Sequence, residues 1–156
     1  LKEVEESYVI AYDATISRRS RAMYLLNYLT AGEYFQKVAL DTTGEIVGIG
    51  CVRAVYSNDS CLRPLFADSE VNIVIKKTAV LSLLAGILST IPDLKKYKMF
   101  VCVHLAVNEN ADRLFQSIGG TQVKIVPFAQ RQFTKKVFPT NDSKMFTVTD
   151  GACGIV

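Results

Sequence analysis

Apolar positions along the chain fall into blocks whose spacing changes from one block to the next. After a polar, acidic entry over residues 1–7, Tyr8-Val9-Ile10-Ala11-Tyr12 is a short apolar run closed by Asp13, which reads as a strand. From Ser17 to about Leu29 the period lengthens: Ala22, Leu25, Leu26 and Leu29 recur at helical spacing, with Ser17 as the N-cap. Arg18, Arg19 and Arg21 at the start of that helix oppose its dipole, and an ion pair between Asp13 and Arg21 is the simplest offset. Phe35–Asp41 and Glu45–Arg53, separated by Thr42-Thr43-Gly44, read as strand, tight turn, strand. Gly48 and Gly50 fall on one face of the second strand, where a neighbouring helix can lie close to the backbone.

Tyr56 to Ser60 is a polar turn leading into the strand Cys61–Ala67. Val71, Ile73 and Ile75 then alternate as in a strand, but the apolar stretch runs on through Ala79, Leu83, Leu84, Ile87 and Leu88 to Pro92. That length predicts a mostly buried helix from Glu70 to about Thr90. Asp68 and Ser69 are suited to cap its first turn, and free amides at such a terminus can also hold an anion. Lys98–Leu105 is nearly continuous in apolar character, as expected of a strand covered on both faces. Strand, long helix, strand is a crossover that places two parallel strands in one sheet. A short helix over Asn108–Ile118 ends at Gly119-Gly120, and two closing strands span Val123–Thr134 and Lys144–Thr149, with a turn at Pro139-Thr140-Asn141-Asp142.

Composition narrows what this pattern can be. The 156 residues, 49% hydrophobic and 21% charged, suit one globular domain spanning 1–156. The first residue, Leu1, suggests part of a longer chain. Net charge is +3, but Lys and Arg are spread from Lys2 to Lys144 without a dense block, which gives no case for nucleic acid. The most apolar window, Thr78–Ile91, falls short of the roughly 20 residues that cross a bilayer, and no signal peptide is present, so no membrane is expected. Cys51, Cys61, Cys102 and Cys153 have no C-x-x-C spacing and sit among apolar neighbours, which points to free thiols in a reducing compartment. With His104 as the single histidine, no zinc ligand set can be drawn, and no metal is expected.

Several local patterns carry a resemblance. Tyr12-Asp13 with Arg21 and Leu25, Gly44-Glu45-Ile46-Val47-Gly48 with Cys51-Val52-Arg53, Pro64-Leu65-Phe66-Ala67-Asp68-Ser69, and Asn108 through Gly119 occur in an order that resembles the GNAT acyltransferases, in particular the GNAT-like C-terminal domain of tandem GNAT proteins. The resemblance covers most of the chain, from about residue 8 to Met145–Thr149. It implies an α/β fold with a mixed, largely antiparallel sheet, a splayed pair of parallel strands and flanking helices. It further implies acetyl-CoA as co-substrate, lying in the wedge between those strands. The backbone of Leu65, Phe66 and Ala67 would hold the pantetheine arm, amides around Asp68 and Ser69 would face the pyrophosphate, and Asn110 would support the cofactor. The implied acceptor is the primary amine of a small molecule or peptide, the implied location is the cytoplasm, and an N-terminal GNAT domain of the same chain or a second copy in a homodimer are compatible partners.

The same comparison exposes two departures. The glycine-rich loop expected before the long helix is replaced by Phe66-Ala67-Asp68-Ser69-Glu70, which puts two carboxylates near a phosphate site. Where the family often has a tyrosine that protonates the leaving thiolate, this chain has Phe115, which has no proton to give. Tyr56, Cys61 and His104 could stand near the wedge, although each is more simply structural, and no catalytic residue is assigned. Two readings stay open: an acyl-CoA-dependent N-acetyltransferase, and a GNAT-like domain without catalysis that serves substrate binding or assembly beside a catalytic GNAT domain.

Overall fold

The computed structural model describes residues 3–55, 58–68, 73–128, 130 and 136–149. Within them the order is α1 (Glu6–Ser17), α2 (Ala22–Thr30), β1 (Tyr34–Leu40), β2 (Ile46–Val55), β3 (Asp59–Ala67), α3 (Ile73–Leu88), β4 (Phe100–Val101), α4 (Glu109–Gly119) and β5 (Met145–Thr147). The described strands form one sheet in the order β1-β2-β3-β4, with β5 also paired to β3. Two hydrophobic clusters flank it. One gathers Leu62, Leu65, Val80, Leu83, Ile87, Leu114 and Phe146 on the side of α3 and α4. The other gathers Val9, Ile16, Leu25, Ile49, Cys51, Phe66 and Met145 on the side of α1 and α2.

The hairpin forms as the sequence predicts. β1 and β2 pair antiparallel from Tyr34↔Arg53 to Leu40↔Ile46. At the turn the Asp41 carboxylate accepts from the amides of Thr43 (2.8 Å) and Glu45 (3.0 Å) and from the Thr43 hydroxyl (2.7 Å). Those bonds, that of the hydroxyl above all, hold its acidity below the ordinary carboxylate value. Gly44 takes φ +88°, a conformation that glycine adopts without strain. The close approach expected at Gly48 and Gly50 is made by α3: a Cβ at Gly50 would stand 2.7 Å from Ile87 Cδ1, and one at Gly48 3.2 Å from Leu83 Cδ2.

Several expectations are corrected. Residues 8–12 are helical, inside α1, because burial extends beyond that window: Val9, Tyr12, Asp13 and Ile16 recur at the helical period. Ser17 closes α1 instead of capping α2, its hydroxyl bonded to the Asp13 carbonyl four residues back at 3.0 Å, and α2 starts at Ala22. The strand expected over Lys98–Leu105 shrinks to Phe100–Val101, and Met99 and Phe100 are 54% and 43% exposed, so the apolar run is not covered on both faces. At the end of the chain, 123–128 are not a strand, and only Met145–Thr147 of the last predicted strand joins the ladder.

The expected parallel pair is present but brief. β3 and β4 are in register at Ser60↔Phe100 and Cys61↔Val101. On its other edge β3 follows β2 along most of its length, from Val55↔Asp59 to Gly48↔Ala67. β5 then takes up the free edge of β3 further along, antiparallel at Leu65↔Thr147 and Phe66↔Met145. Pro64 sits at the changeover, where its missing N–H costs no ladder bond. β4 and β5 thus share one edge of β3 end to end, and Val148 N–H also donates to Val103 O at 2.8 Å. The last strand lies in the gap that opens where β3 and the chain after β4 part.

Candidate functional site

Of the residues singled out for a cofactor, Leu65, Phe66 and Ala67 do not open onto a cleft. Leu65, Phe66 and Ala67 are fully buried in β3. The backbones of Leu65 and Phe66 are paired on both sides, to Gly50 and Ile49 of β2 and to Thr147 and Met145 of β5. A ligand arm that binds like an added strand needs a free edge, and β5 already holds that edge. Ser69 lies outside the described residues, as does Tyr56.

Asp68 lies just past β3, and the turn it was expected to cap, 69–72, lies outside the described residues. Asp68 Oδ1 accepts from the Tyr12 hydroxyl at 3.0 Å and pairs with Lys144 Nζ at 2.9 Å. This joins α1, the end of β3 and the residue before β5 in one polar knot. Burial first, then the charge of Asp68, pushes the Tyr12 phenol above its ordinary value, so it serves as a neutral hydrogen-bond donor.

Asn110 is exposed on the first turn of α4. The asparagine at the centre of that corner is Asn108, 3% exposed. Its Nδ2 lies within reach of the carbonyls of Met145 (2.8 Å), Asp142 (3.1 Å) and Ser143 (3.4 Å). An amide nitrogen has two protons, so the three carbonyls share them, and Asn108 fastens the approach to β5 onto the start of α4. The sequence reading places Asn108 as the first residue of the predicted helix; it stands instead at the N-cap position of α4 and makes no side-chain cap bond.

The expected ion pair is present and deep. Arg21 grips Asp13 in two-pronged fashion at 2.7 and 2.8 Å, with the two side chains 6% and 2% exposed. Arg21 Nη1 also reaches the Thr149 hydroxyl at 3.3 Å, so this pair, too, binds the segment after β5 to the helices.

His104 Nε2 stands 3.2 Å from Asp112 Oδ1, short of hydrogen-bond geometry. Its ring packs 6.1 Å from that of Phe115. Cys51, Cys61 and Cys102 are free thiols. Burial pushes Cys51 up to about 12 and Cys102 up to about 11, where neither is a ready nucleophile at neutral pH. Among the described residues no group of three or more His, Cys, Asp or Glu is placed to hold a metal ion, and no helix is long and apolar enough to cross a membrane.

Comparison with solved structures decides the fold. An aminoglycoside antibiotic 6'-N-acetyltransferase from Acinetobacter baumannii superposes with a TM-score of 0.56 over 83% of this chain and 95% of that one, at 14% sequence identity. The chain has the GNAT fold. No family model and no curated protein matches the sequence. The similarity therefore resides in backbone arrangement: a GNAT-type mixed sheet with a parallel β3–β4 contact, on which this sequence places its own side chains.

Proposed function

We propose that this GNAT-fold chain is a domain without acyl transfer of its own, serving ligand binding or assembly beside a catalytic GNAT domain. The observation that carries this reading is β5. To receive a pantetheine arm along Leu65 and Phe66, the fold would have to give up the pairing of β5 and expose Met145, Phe146 and Val148, all buried. Burial of three such side chains is worth about 5–9 kcal/mol. A ligand of micromolar affinity supplies about 8 kcal/mol, so displacing the strand would consume nearly all of it. Phe115 in place of a proton donor and the absence of glycine over Phe66–Glu70 support the same reading.

A second reading is an acyl-CoA-dependent N-acetyltransferase that moves an acetyl group to a primary amine. It is favoured by the backbone match to an acetyltransferase. Amine attack on a thioester needs position and a polarised carbonyl more than any one side chain. Thermal unfolding with acetyl-CoA separates the two. At about 100-fold excess over Kd a ligand specific for the folded state adds about 2.7 kcal/mol, or roughly 5–10 °C in Tm for a domain of this size. We expect no shift with acetyl-CoA near millimolar concentration and no release of free CoA with amine acceptors. A shift of that size with turnover would replace the first reading by the second.

A further inference from the structure

Arg53 and Arg63 share the face of the sheet that α2 covers, and neither is answered by an acid. Arg53 of β2 stands opposite Cys61 of β3, so those two side chains lie on one face, and Arg63, two residues on, lies there as well. Residues one diagonal step apart across an antiparallel ladder are about 7–8 Å from each other, within reach of side chains as long as arginine. Tyr28 of α2 joins them. The Arg53 guanidinium stands 4.7 Å from the centre of its ring. Burial pushes the Tyr28 phenol up, while Arg53 and then Arg63 pull against that rise, so both positive charges act on this one group.

The two guanidinium groups differ in what holds them. Arg53 Nη2 donates to Ala31 O at 2.6 Å, which fastens the end of α2 to β2 and leaves its other donors to spare. Arg63 Nε is shut away from water with no hydrogen-bond partner among the described residues. The acids that could serve are engaged or out of reach: Asp13 is gripped by Arg21, Glu33 faces Lys96 at 3.5 Å, and Asp59, on the same strand face as Arg63, forms no ion pair with either arginine among the described residues. An arginine is charged at every relevant pH, and a charged group with a buried, unsatisfied donor calls for a partner. Water can accept from Nε, but only an anion also answers the charge. The flat fork of N–H groups matches the oxygens of a carboxylate or a phosphate. Both arginines keep part of their surface open to solvent, from which such an ion can enter.

We propose that Arg53 and Arg63, between α2 and the β2–β3 ladder, bind a small oxyanion, a carboxylate or a phosphate. Arg63 supplies an unoccupied fork, and Arg53, held in place by Ala31 O and the Tyr28 ring, presents its remaining donors beside it. The site lies before Pro64 on β3, whereas the pyrophosphate implied by the resemblance lies after Ala67. It needs no acyl group and no coenzyme, and it holds under either reading of the function.

Inorganic phosphate and acetate, each titrated at constant ionic strength with chloride as the balancing anion, test this and separate the two kinds of oxyanion. The readout is the arginine Nε–H and backbone amide signals. The expected result is saturable movement of the Arg63 Nε–H and of the Arg53, Cys61 and Arg63 amides with at least one of the two, and the tighter binder names the class. Arg63→Met should weaken that binding by about tenfold or more, the factor for loss of a charge-assisted hydrogen bond. Its Tm in chloride alone should not fall, because the substitution removes a buried charge that no described residue pairs. Arg53→Lys, which keeps the charge but not the fork, should also weaken binding, and the wild-type titration stands even where a variant does not fold. No saturable movement, movement confined to the Asp68 end of β3, or a lower Tm of Arg63→Met in chloride with its oxyanion binding unchanged would each overturn the proposal.

Discussion

The sheet is assembled in two ways. From β1 to β3 the chain is a meander in which each strand pairs with its sequence neighbour along most of its length, and the ladder is the main bond between them. Past β3 the ladders are two pairs long. There the chain is held by side chains: Asn108 on three carbonyls before and at β5, Lys144 on Asp68, and Arg21 on Asp13 and Thr149. Where neighbouring strands supply the backbone partners, side chains are free to pack. Where the partner lies far away in sequence, a few buried polar groups fix the register.

This contrast can be broken at its strongest point. Asp13→Ala leaves the Arg21 guanidinium buried without its carboxylate, and removal of one member of a buried pair costs about 3–5 kcal/mol. Urea unfolding of that variant should show a loss in this range, with the α1–α2 corner and Thr149 losing hydrogen-exchange protection before β1 and β2. Asn108→Ala comes next. It strips buried carbonyls of their donor, at about 1–3 kcal/mol, and the expected signature is loss of amide protection over 145–148 while Lys37 to Gly50 stays protected. If both segments lose protection together, the two halves are one cooperative unit and the contrast fails.

Gly50→Ala probes the meander itself. The new methyl meets Ile87 Cδ1 at 2.7 Å and Leu65 Cδ1 at 3.1 Å. Both are side-chain ends that can shift, so a cost of about 1–2 kcal/mol is expected, at the lower end for overpacking. A cost above about 4 kcal/mol would show that α3 cannot yield against the sheet.

The effect of pH is absent at neutrality and appears only in alkali. The folded state raises both Cys51 and Cys102 above the ordinary thiol value of 9.0. Their protonated forms are thus favoured by folding. Neither thiol costs stability below about pH 9, and stability falls as pH rises through about 11 for Cys102 and then about 12 for Cys51. Alkylation followed by mass spectrometry between those values should modify Cys102, after β4, before Cys51, within β2. The reverse order would mean that the meander opens first.

Legibility from sequence followed the same division. The β1–β2 hairpin, β3, the crossover through α3, and α4 with its glycine stop were all readable, because period, turn residues and caps are local signals. The Asp13–Arg21 pair was readable for the same reason, as its members are eight positions apart. α1 was misread because five apolar residues, Tyr8 to Tyr12, match a strand until Ile16 extends the spacing. The reach of Lys98–Leu105 was overstated because apolar character does not reveal whether a partner strand is present. For the candidate site, Leu65–Ala67 were correctly placed on a strand leading to a long helix, but nothing near them signals that Met145–Thr147 takes the adjoining edge. That Asp68 also joins Tyr12 and Lys144 was not readable, because both lie far from it in sequence.

The position of β5 also bears on how the chain reaches this state. Leu65 and Phe66 are made well before Met145–Thr147 and can pair with β2 without them, yet their other edge waits for that later strand. Closing so long a loop is slow compared with forming the meander. Until it closes, Phe66 and the strand edge beside it stand open, a template for another strand. The nascent protein thus has an interval in which an unpaired apolar edge must be kept from other chains, and that interval ends when its own last strand docks.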